Sequence, residues 1–123
     1  MGSPVDVNPI NAFASLAVEN LSNSVQWYEQ LFGVSRRPMP VLAEWSFRGG
    51  GGLQVYELPE RAGRGSCTIV VDDIDSVADT LRSLGVELSQ ASTRGELADT
   101  VMVRDLDGNS IAFAVPHDAE LLR

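Results

Sequence analysis

The chain has 123 residues, of which 44% are hydrophobic, and a formal net charge of −8 at pH 7. One cysteine and one histidine cannot build a disulfide framework or a Cys/His metal cluster within the chain, so we expect one globular domain stabilised by its own core. The negative charge argues against nucleic acid and membranes as partners and favours neutral or cationic molecules. We predict a cytoplasmic protein, because the sequence lacks a membrane-spanning apolar run and a signal-peptide pattern.

The first half of the chain has the pattern of a strand, a helix and three more strands. Residues 12–18 alternate between two faces, which predicts a strand. A helix follows, with Asn20 or Ser22 as its cap and Gly33 at its end. The other strands are predicted at residues 34–39, 41–48 and 53–57, and four glycines connect the last two.

The second half repeats this pattern at a shift of 53 residues, which places Leu16 on Ile69 and Tyr28 on Leu81. Asp107-Gly108-Asn109 predicts a tight reversal between the last two strands. After a linker at 59–65, the elements are predicted as a strand at 66–71, a helix from 72 to 84 and strands at 88–90, 98–104 and 110–115.

The repeat predicts an α+β domain of two βαβββ modules, whose strands form a curved mixed sheet, or cup. Module one would span about residues 11–58 and module two about residues 66–116 of a single domain at 11–116. The remaining segments, 1–10 and 117–123, are predicted to be tails.

Three segments carry a resemblance to a known family: residues 18–33, 71–75 and 104–109. They resemble the vicinal oxygen chelate superfamily of glyoxalases, extradiol dioxygenases and bleomycin resistance proteins. The resemblance implies a cup made of two βαβββ modules, with the chemistry at its bottom. It also implies a homodimer, because a second subunit often completes the cup in this family.

The resemblance further implies four metal-ligand positions, which correspond here to Phe13, Gln54, Ser66 and Ala112. Metal-dependent relatives place His or Glu at these positions. A divalent metal needs several imidazole, carboxylate or thiolate donors, whereas Phe13 and Ala112 offer no donor atom. We therefore predict that the protein uses no metal and no other cofactor.

A cup without metal ligands is expected to bind a small molecule directly. Aromatic surfaces with a few hydroxyl and amide groups suit an aromatic or cationic ligand, which favours an antibiotic- or metabolite-binding protein of the bleomycin resistance type. The predicted lining consists of Phe13, Ser15, Gln54, Tyr56, Ser66, Thr68 and Ala112, with Trp45 and Phe47 as a wall.

Several alternatives stay open. Trp45 and Phe47 could equally belong to the core. The protein could be a metal-independent isomerase or lyase with Glu44 or Glu57 as general base, although simple alternation puts both carboxylates outside the cup. A metal-dependent glyoxalase or dioxygenase is disfavoured because its ligands are missing. The sequence identifies no catalytic residue, and Cys67 is expected to be a small buried hydrophobic residue.

Overall fold

The computed structural model describes residues 7–118, except for the side chains of residues 90–92. Residues 1–6 and 119–123, which are parts of the predicted tails at 1–10 and 117–123, lie outside the described residues. Module one consists of β1 (Phe13–Val18), α1 (Leu21–Phe32), β2 (Arg36–Met39), β3 (Leu42–Ser46) and β4 (Gly52–Glu57). After a short turn at Pro59–Arg61, module two consists of β5 (Ser66–Val70), α2 (Ile74–Ser83), β6 (Leu88–Arg94), β7 (Ala98–Arg104) and β8 (Ser110–Pro116).

This element order confirms the predicted repeat and the α+β class. The strands form two four-stranded sheets, in the orders β1-β4-β3-β2 and β5-β8-β7-β6. Within each sheet the first pair is parallel and the other pairs are antiparallel. β1 and β5 are edge strands of separate sheets, so among the described residues no strand pairing joins the two sheets.

The helix boundaries follow from capping residues that the sequence repeats. Asn20 caps α1 through its side chain, which accepts a hydrogen bond from the Asn23 N–H, and Asp73 caps α2 through Ser76 in the same way. Gly33 ends α1 with a φ of 83°, a conformation that favours glycine. The two caps are related by the same shift as the apolar residues, so the repeat extends to the helix ends. Within residues 7–118, we find no helix with the length and apolar character needed to cross a membrane.

The core lies between the sheets and the helices and joins the modules. Leu16 and Val18 of β1 are fully buried, as is Ile111 of β8. Phe32 at the end of α1 packs against Phe113 of module two, with ring centroids 6.2 Å apart. Burial of these apolar side chains stabilises both modules together, since they belong to one hydrophobic cluster.

A buried polar network also crosses between the modules. The Tyr28 hydroxyl donates to the Asp105 carboxylate at 2.6 Å, and the Asn109 amide donates to the same carboxylate at 2.8 Å. Asn109 also donates to the carbonyl of Ala17 and accepts from the N–H of Gly65, both at 2.8 Å. Burial, followed by the nearby Asp105 charge, raises the pKa of Tyr28, so its hydroxyl stays a donor. The hairpin motif at 104–109 therefore connects the two modules.

The single histidine lies on the outer hairpin of module two, where its ring contacts the Glu96 carbonyl at 2.8 Å and the Asp99 carboxylate at 3.0 Å. The Asp99 contact, followed by the Glu96 contact, raises the pKa of His117, and Arg94 and His117 lower the pKa of Asp99. The position after β8 was expected to begin a tail. At this position His117 also donates its backbone N–H to the Leu97 carbonyl.

We expect NMR titration of the His117 ring to give a pKa above that of an unstructured histidine. A raised pKa means that the protonated ring stabilises the fold below the unfolded pKa, and that this contribution is lost as pH rises through the folded value. Asp99→Asn removes the negative partner and should lower the measured pKa of His117. A ring that titrates at or below its ordinary value in the unmodified protein would contradict the contact.

Candidate functional site

We use the term cup face for the side of each sheet that points away from the core. In sheet one, Ser15, Gln54 and Glu44 lie directly opposite one another on β1, β4 and β3. The Ser15 hydroxyl donates to Gln54 Oε1 at 3.2 Å, and Gln54 Nε2 donates to Glu44 Oε2 at 2.9 Å. These three side chains therefore form one hydrogen-bonded row across the cup face.

Arg36 on β2 extends the row to the far edge of the sheet. Its guanidinium lies 3.4 Å from Glu44 Oε1. The Glu44 side chain is only 11% exposed, whereas that of Arg36 is 72% exposed. The carboxylate thus lies between an amide on one side and a solvated cation on the other, and the interior of the row is less exposed than its ends.

Aromatic residues flank this row. The Phe13 ring lies over Gly52, where an added Cβ would collide with the Trp45 carbonyl oxygen and come within 2.6 Å of the ring, so the glycine leaves room for both. Tyr56 lies on the other side of Gln54 along β4 and is partly buried opposite Ala17. Module one therefore presents a polar row between two aromatic side chains.

The centre of the cup face in module two carries small and apolar side chains. Thr68, Ala112 and Met102 lie side by side on β5, β8 and β7, and Ser66 lies opposite Ser110. Thr68 and Ser66 are exposed. Small and apolar side chains thus leave an open surface around Ala112. Arg104 lies opposite Ser110 on β7, and its guanidinium donates to the Gly108 carbonyl at 3.0 Å.

The structure does not bring Trp45 and Phe47 onto the cup face. Trp45 is 4% exposed, lies opposite Leu53 on the core side, and donates its indole N–H to the Gly33 carbonyl at 2.8 Å. Phe47 packs against Phe32 with ring centroids 5.8 Å apart. Because side chains alternate along a strand, the register that places Glu44 opposite Gln54 places Trp45 in the core. The position of Trp45 fits the interpretation that it belongs to the core, which the sequence left open.

The same register corrects the expectation for Glu44, which was predicted outside the cup. It lies on the cup face, because it is paired with Gln54 across β3 and β4. Glu57 lies on the other side of β4, and its carboxylate accepts the Leu21 N–H at 3.0 Å at the start of α1. Of the two candidate bases, only Glu44 is positioned to contact a ligand in the cup.

A cleft of about 1010 Å³ opens at a different place, between the modules. The end of α1 and the glycine loop form one wall, and β5 and α2 form the other. Arg48 and Asp72 form an exposed ion pair of 2.7 Å at its rim. Phe47 and Thr68 border this cleft, so it is an alternative location for an apolar ligand.

Cys67 lies on the core side of β5. Burial, followed by the Asp105 charge, raises the pKa of its thiol. A raised pKa lowers the fraction of thiolate, which is the nucleophilic form. The geometry therefore gives Cys67 a packing role against the core, although the residue is partly buried rather than fully buried.

The two βαβββ modules, with small side chains on the cup face and a shared core, define the class of fold to which the chain belongs. The sequence matches the Glyoxalase/Bleomycin resistance protein/Dioxygenase superfamily over residues 9–113, and the chain belongs to this superfamily. No curated protein matched the chain.

Solved structures agree with this assignment. A glyoxalase/bleomycin resistance protein from Catenulispora acidiphila DSM 44928 is 32% identical, with a TM-score of 0.77 over 87% of this chain and 98% of that one. TnmS3, an antibiotic binding protein from Streptomyces sp. CB03234, is 18% identical, with a TM-score of 0.77 over 90% of this chain and 98% of that one. Virulence protein STM3117 from Salmonella typhimurium is 16% identical, with a TM-score of 0.71 over 91% and 99%. The last two show likeness of fold alone.

The residues at the four metal-ligand positions implied by the family do not fit a divalent ion. Phe13 and Ala112 have no donor atom, Ser66 offers a neutral hydroxyl, and the Gln54 amide is engaged by Ser15 and Glu44. Within the part of the chain that the structure describes, no cluster of three or more His, Cys, Asp or Glu side chains could hold a metal ion. The donor set suits hydrogen bonding to an organic molecule better than coordination.

Proposed function

We propose that this protein binds a small organic molecule, an antibiotic or a metabolite, on its cup face without a metal ion. The observation that carries the proposal is the row of Ser15, Gln54 and Glu44 across the cup face. The row includes Gln54, which corresponds to one of the four metal-ligand positions of the family. A few fixed polar groups on a largely apolar surface are typical of small-molecule sites. The fold shared with TnmS3, an antibiotic binding protein, supports this class of function.

The proposed binding unit is a homodimer. Ser15, Ser66 and Thr68 are exposed in the single chain, and Val70 is 50% exposed on the same side of β5. A site that buries most of a ligand needs a second wall over these residues. A second copy of the chain, with its cup face opposite the first, would supply that wall. The family resemblance implies such a second subunit.

The proposed ligand is aromatic or cationic. Phe13 and Tyr56 offer ring surfaces on either side of the polar row, and Glu44 gives the row a carboxylate, which Arg36 pairs with on its other side. The net charge of −8 would raise the local concentration of a cation around the protein. A cytoplasmic location belongs to the same proposal, and the free thiol of Cys67 is compatible with a reducing compartment.

A second candidate function, a metal-independent isomerase or lyase, gains support from the position of Glu44 on the cup face. A general base needs a free carboxylate oxygen near the proton that it removes. Here Oε2 accepts from Gln54, and Oε1 lies 3.4 Å from the guanidinium of Arg36. This engagement favours a fixed binding group over a base, so binding without turnover remains the main proposal.

Calorimetric titration of the EDTA-treated protein with 2-naphthylmethylamine, an aromatic cation, tests the proposed function. We expect saturable binding near one probe per chain, with the same affinity before and after addition of zinc, nickel or manganese. Proton NMR of the mixture should show the probe unchanged after prolonged incubation. Binding that appears only when a metal is added would contradict the proposal.

A further inference from the structure

The direction of the hydrogen bonds in the cup-face row follows from the chemistry of its members. A carboxylate accepts hydrogen bonds and donates none, so the Gln54 side chain must turn its Nε2 toward Glu44. The amide oxygen is then directed toward Ser15, whose hydroxyl donates to it. Only this placement of the amide oxygen and nitrogen satisfies both neighbours, because the reverse would set the amide oxygen against the Glu44 carboxylate.

This direction determines what the row offers to a ligand. The hydroxyl hydrogen of Ser15 is used by Gln54, so the exposed Ser15 oxygen keeps its lone pairs for an incoming donor. The amide oxygen of Gln54 has a second lone pair. One N–H of the Gln54 amide is used by Glu44, and the second N–H is on the same nitrogen rather than at the oxygen end beside Ser15. The end of the row nearest β1 therefore presents acceptors.

The neighbourhood of these acceptors fits the rest of an aromatic ligand. Phe13 lies two residues before Ser15 on β1 and covers the space above Gly52. Tyr56 lies two residues after Gln54 on β4, on the same side of the sheet. An aromatic ring bearing an ammonium or hydroxyl group could place that group on the row and its ring against Phe13 or Tyr56.

We infer that Glu44 is a positioning residue that holds the Gln54 amide in one orientation, so that Ser15 and Gln54 select ligands carrying a hydrogen-bond donor. The ligand class is an aromatic ammonium or a phenol, and anions such as carboxylates are disfavoured. The inference rests on the proposed function, because it concerns the same cup face. It adds the reason why ligands with a hydrogen-bond donor would be selected. It also assigns Glu44 a role that acts through the Gln54 amide.

The orientation can be tested without a ligand by NMR of the ¹⁵N-labelled protein. The side-chain amide signals of Gln54, assigned by their loss in Gln54→Leu, should shift clearly in Glu44→Gln, because a glutamine at position 44 no longer forces one orientation. Glu57→Gln is the matched control, since it removes a charge from β4 but keeps an oxygen to accept the Leu21 N–H. Gln54 signals that are the same in Glu44→Gln and in the unmodified protein would overturn the positioning role.

Selectivity is tested with four naphthalene probes of similar size: 2-naphthylmethylamine, 2-naphthol, 2-methoxynaphthalene and 2-naphthoate. We expect the two donor probes to bind at least about tenfold more tightly than the other two, a difference typical of one satisfied hydrogen bond. In Glu44→Gln the ratio should fall to about threefold or less, since the Gln54 amide can then also present its N–H groups. Glu57→Gln should keep the full ratio.

The outcomes separate the inference from the function on which it rests. Equal affinities for all four probes, or a donor preference that survives in Glu44→Gln, would overturn the inference and leave small-molecule binding intact. Failure of all four probes to bind would contradict the proposed function, and the inference with it. Donor preference that is lost in Glu44→Gln but kept in Glu57→Gln would support the inference.

Discussion

Replacing Asn109 by alanine is expected to lower the free energy of unfolding by about 3 kcal/mol, as is typical when several buried polar groups lose a shared partner. The Asn109 side chain is fully buried and bonds to Ala17, Gly65 and Asp105. Alanine leaves the buried carbonyl of Ala17 and the partly buried N–H of Gly65 without this partner. Urea denaturation followed by tryptophan fluorescence measures the loss.

Asp107→Ala is the matched control in the same hairpin. The backbone N–H of Asp107, rather than its side chain, donates to Asp105, so this bond survives the substitution. We expect a change within about 1 kcal/mol, which is the usual range for a side chain outside the buried network. If Asn109→Ala costs no more than Asp107→Ala, the connection between the modules does not depend on the Asn109 amide.

Replacing Ala112 by tryptophan is expected to weaken binding of 2-naphthylmethylamine by at least about thirtyfold, because a large ring would occupy the floor of the proposed cup. Ala112 lies on the cup face between Thr68 and Met102, and its side chain is only partly buried. The new ring points away from the core, so we expect only a small effect on unfolding. Calorimetric titration and urea denaturation of the same preparation measure the two effects.

Two further variants locate the site. Val77→Trp places the same ring in the cleft between the modules, and Trp45→Phe removes an indole from the core side of β3. Neither should change the affinity for the probe by more than about threefold, although Trp45→Phe loses the hydrogen bond to Gly33 and should cost about 1 kcal/mol of stability. Loss of binding in Val77→Trp with normal binding in Ala112→Trp would move the site from the cup face to the cleft.

The sequence was sufficient for the repeat, the two ends of α1 and the hairpin at 107–109, because each depends on neighbouring residues. The side chain of Asn20 and the positive φ of Gly33 act within one turn of α1, so local pattern determines both helix ends. The predicted reversal at Gly108, with a φ of 99°, likewise follows from the local chain.

The sequence could not predict which side chains of β3 face the cup and which face the core, because this depends on the register between β3 and β4 across a glycine loop. Residues 49–52 tolerate several hairpin geometries, and a shift of one residue exchanges Glu44 and Trp45 between the cup face and the core. Interactions between distant residues were also missed. The amide of Asn109 bonds to Ala17, which is 92 residues away in the sequence, and no local pattern indicates that partner.

Part of the candidate site follows directly from alternation along strands. Ser15 and Gln54 were expected on one side, and the parallel pairing of β1 with β4 brings them into hydrogen-bond contact. Their orientation by Glu44 required knowledge of the third strand. The polar row is therefore a property of three strands together, even though each strand was predicted separately.

The central claim, that the cup binds an organic molecule without a metal, is tested most directly by native mass spectrometry of the purified protein. Spectra are recorded alone, with 2-naphthylmethylamine, and with added zinc, nickel and manganese. We predict a dimer that takes up the probe or carries an organic molecule from the cell, and that takes up no metal in stoichiometric amount. One tightly held metal ion per site would contradict the claim.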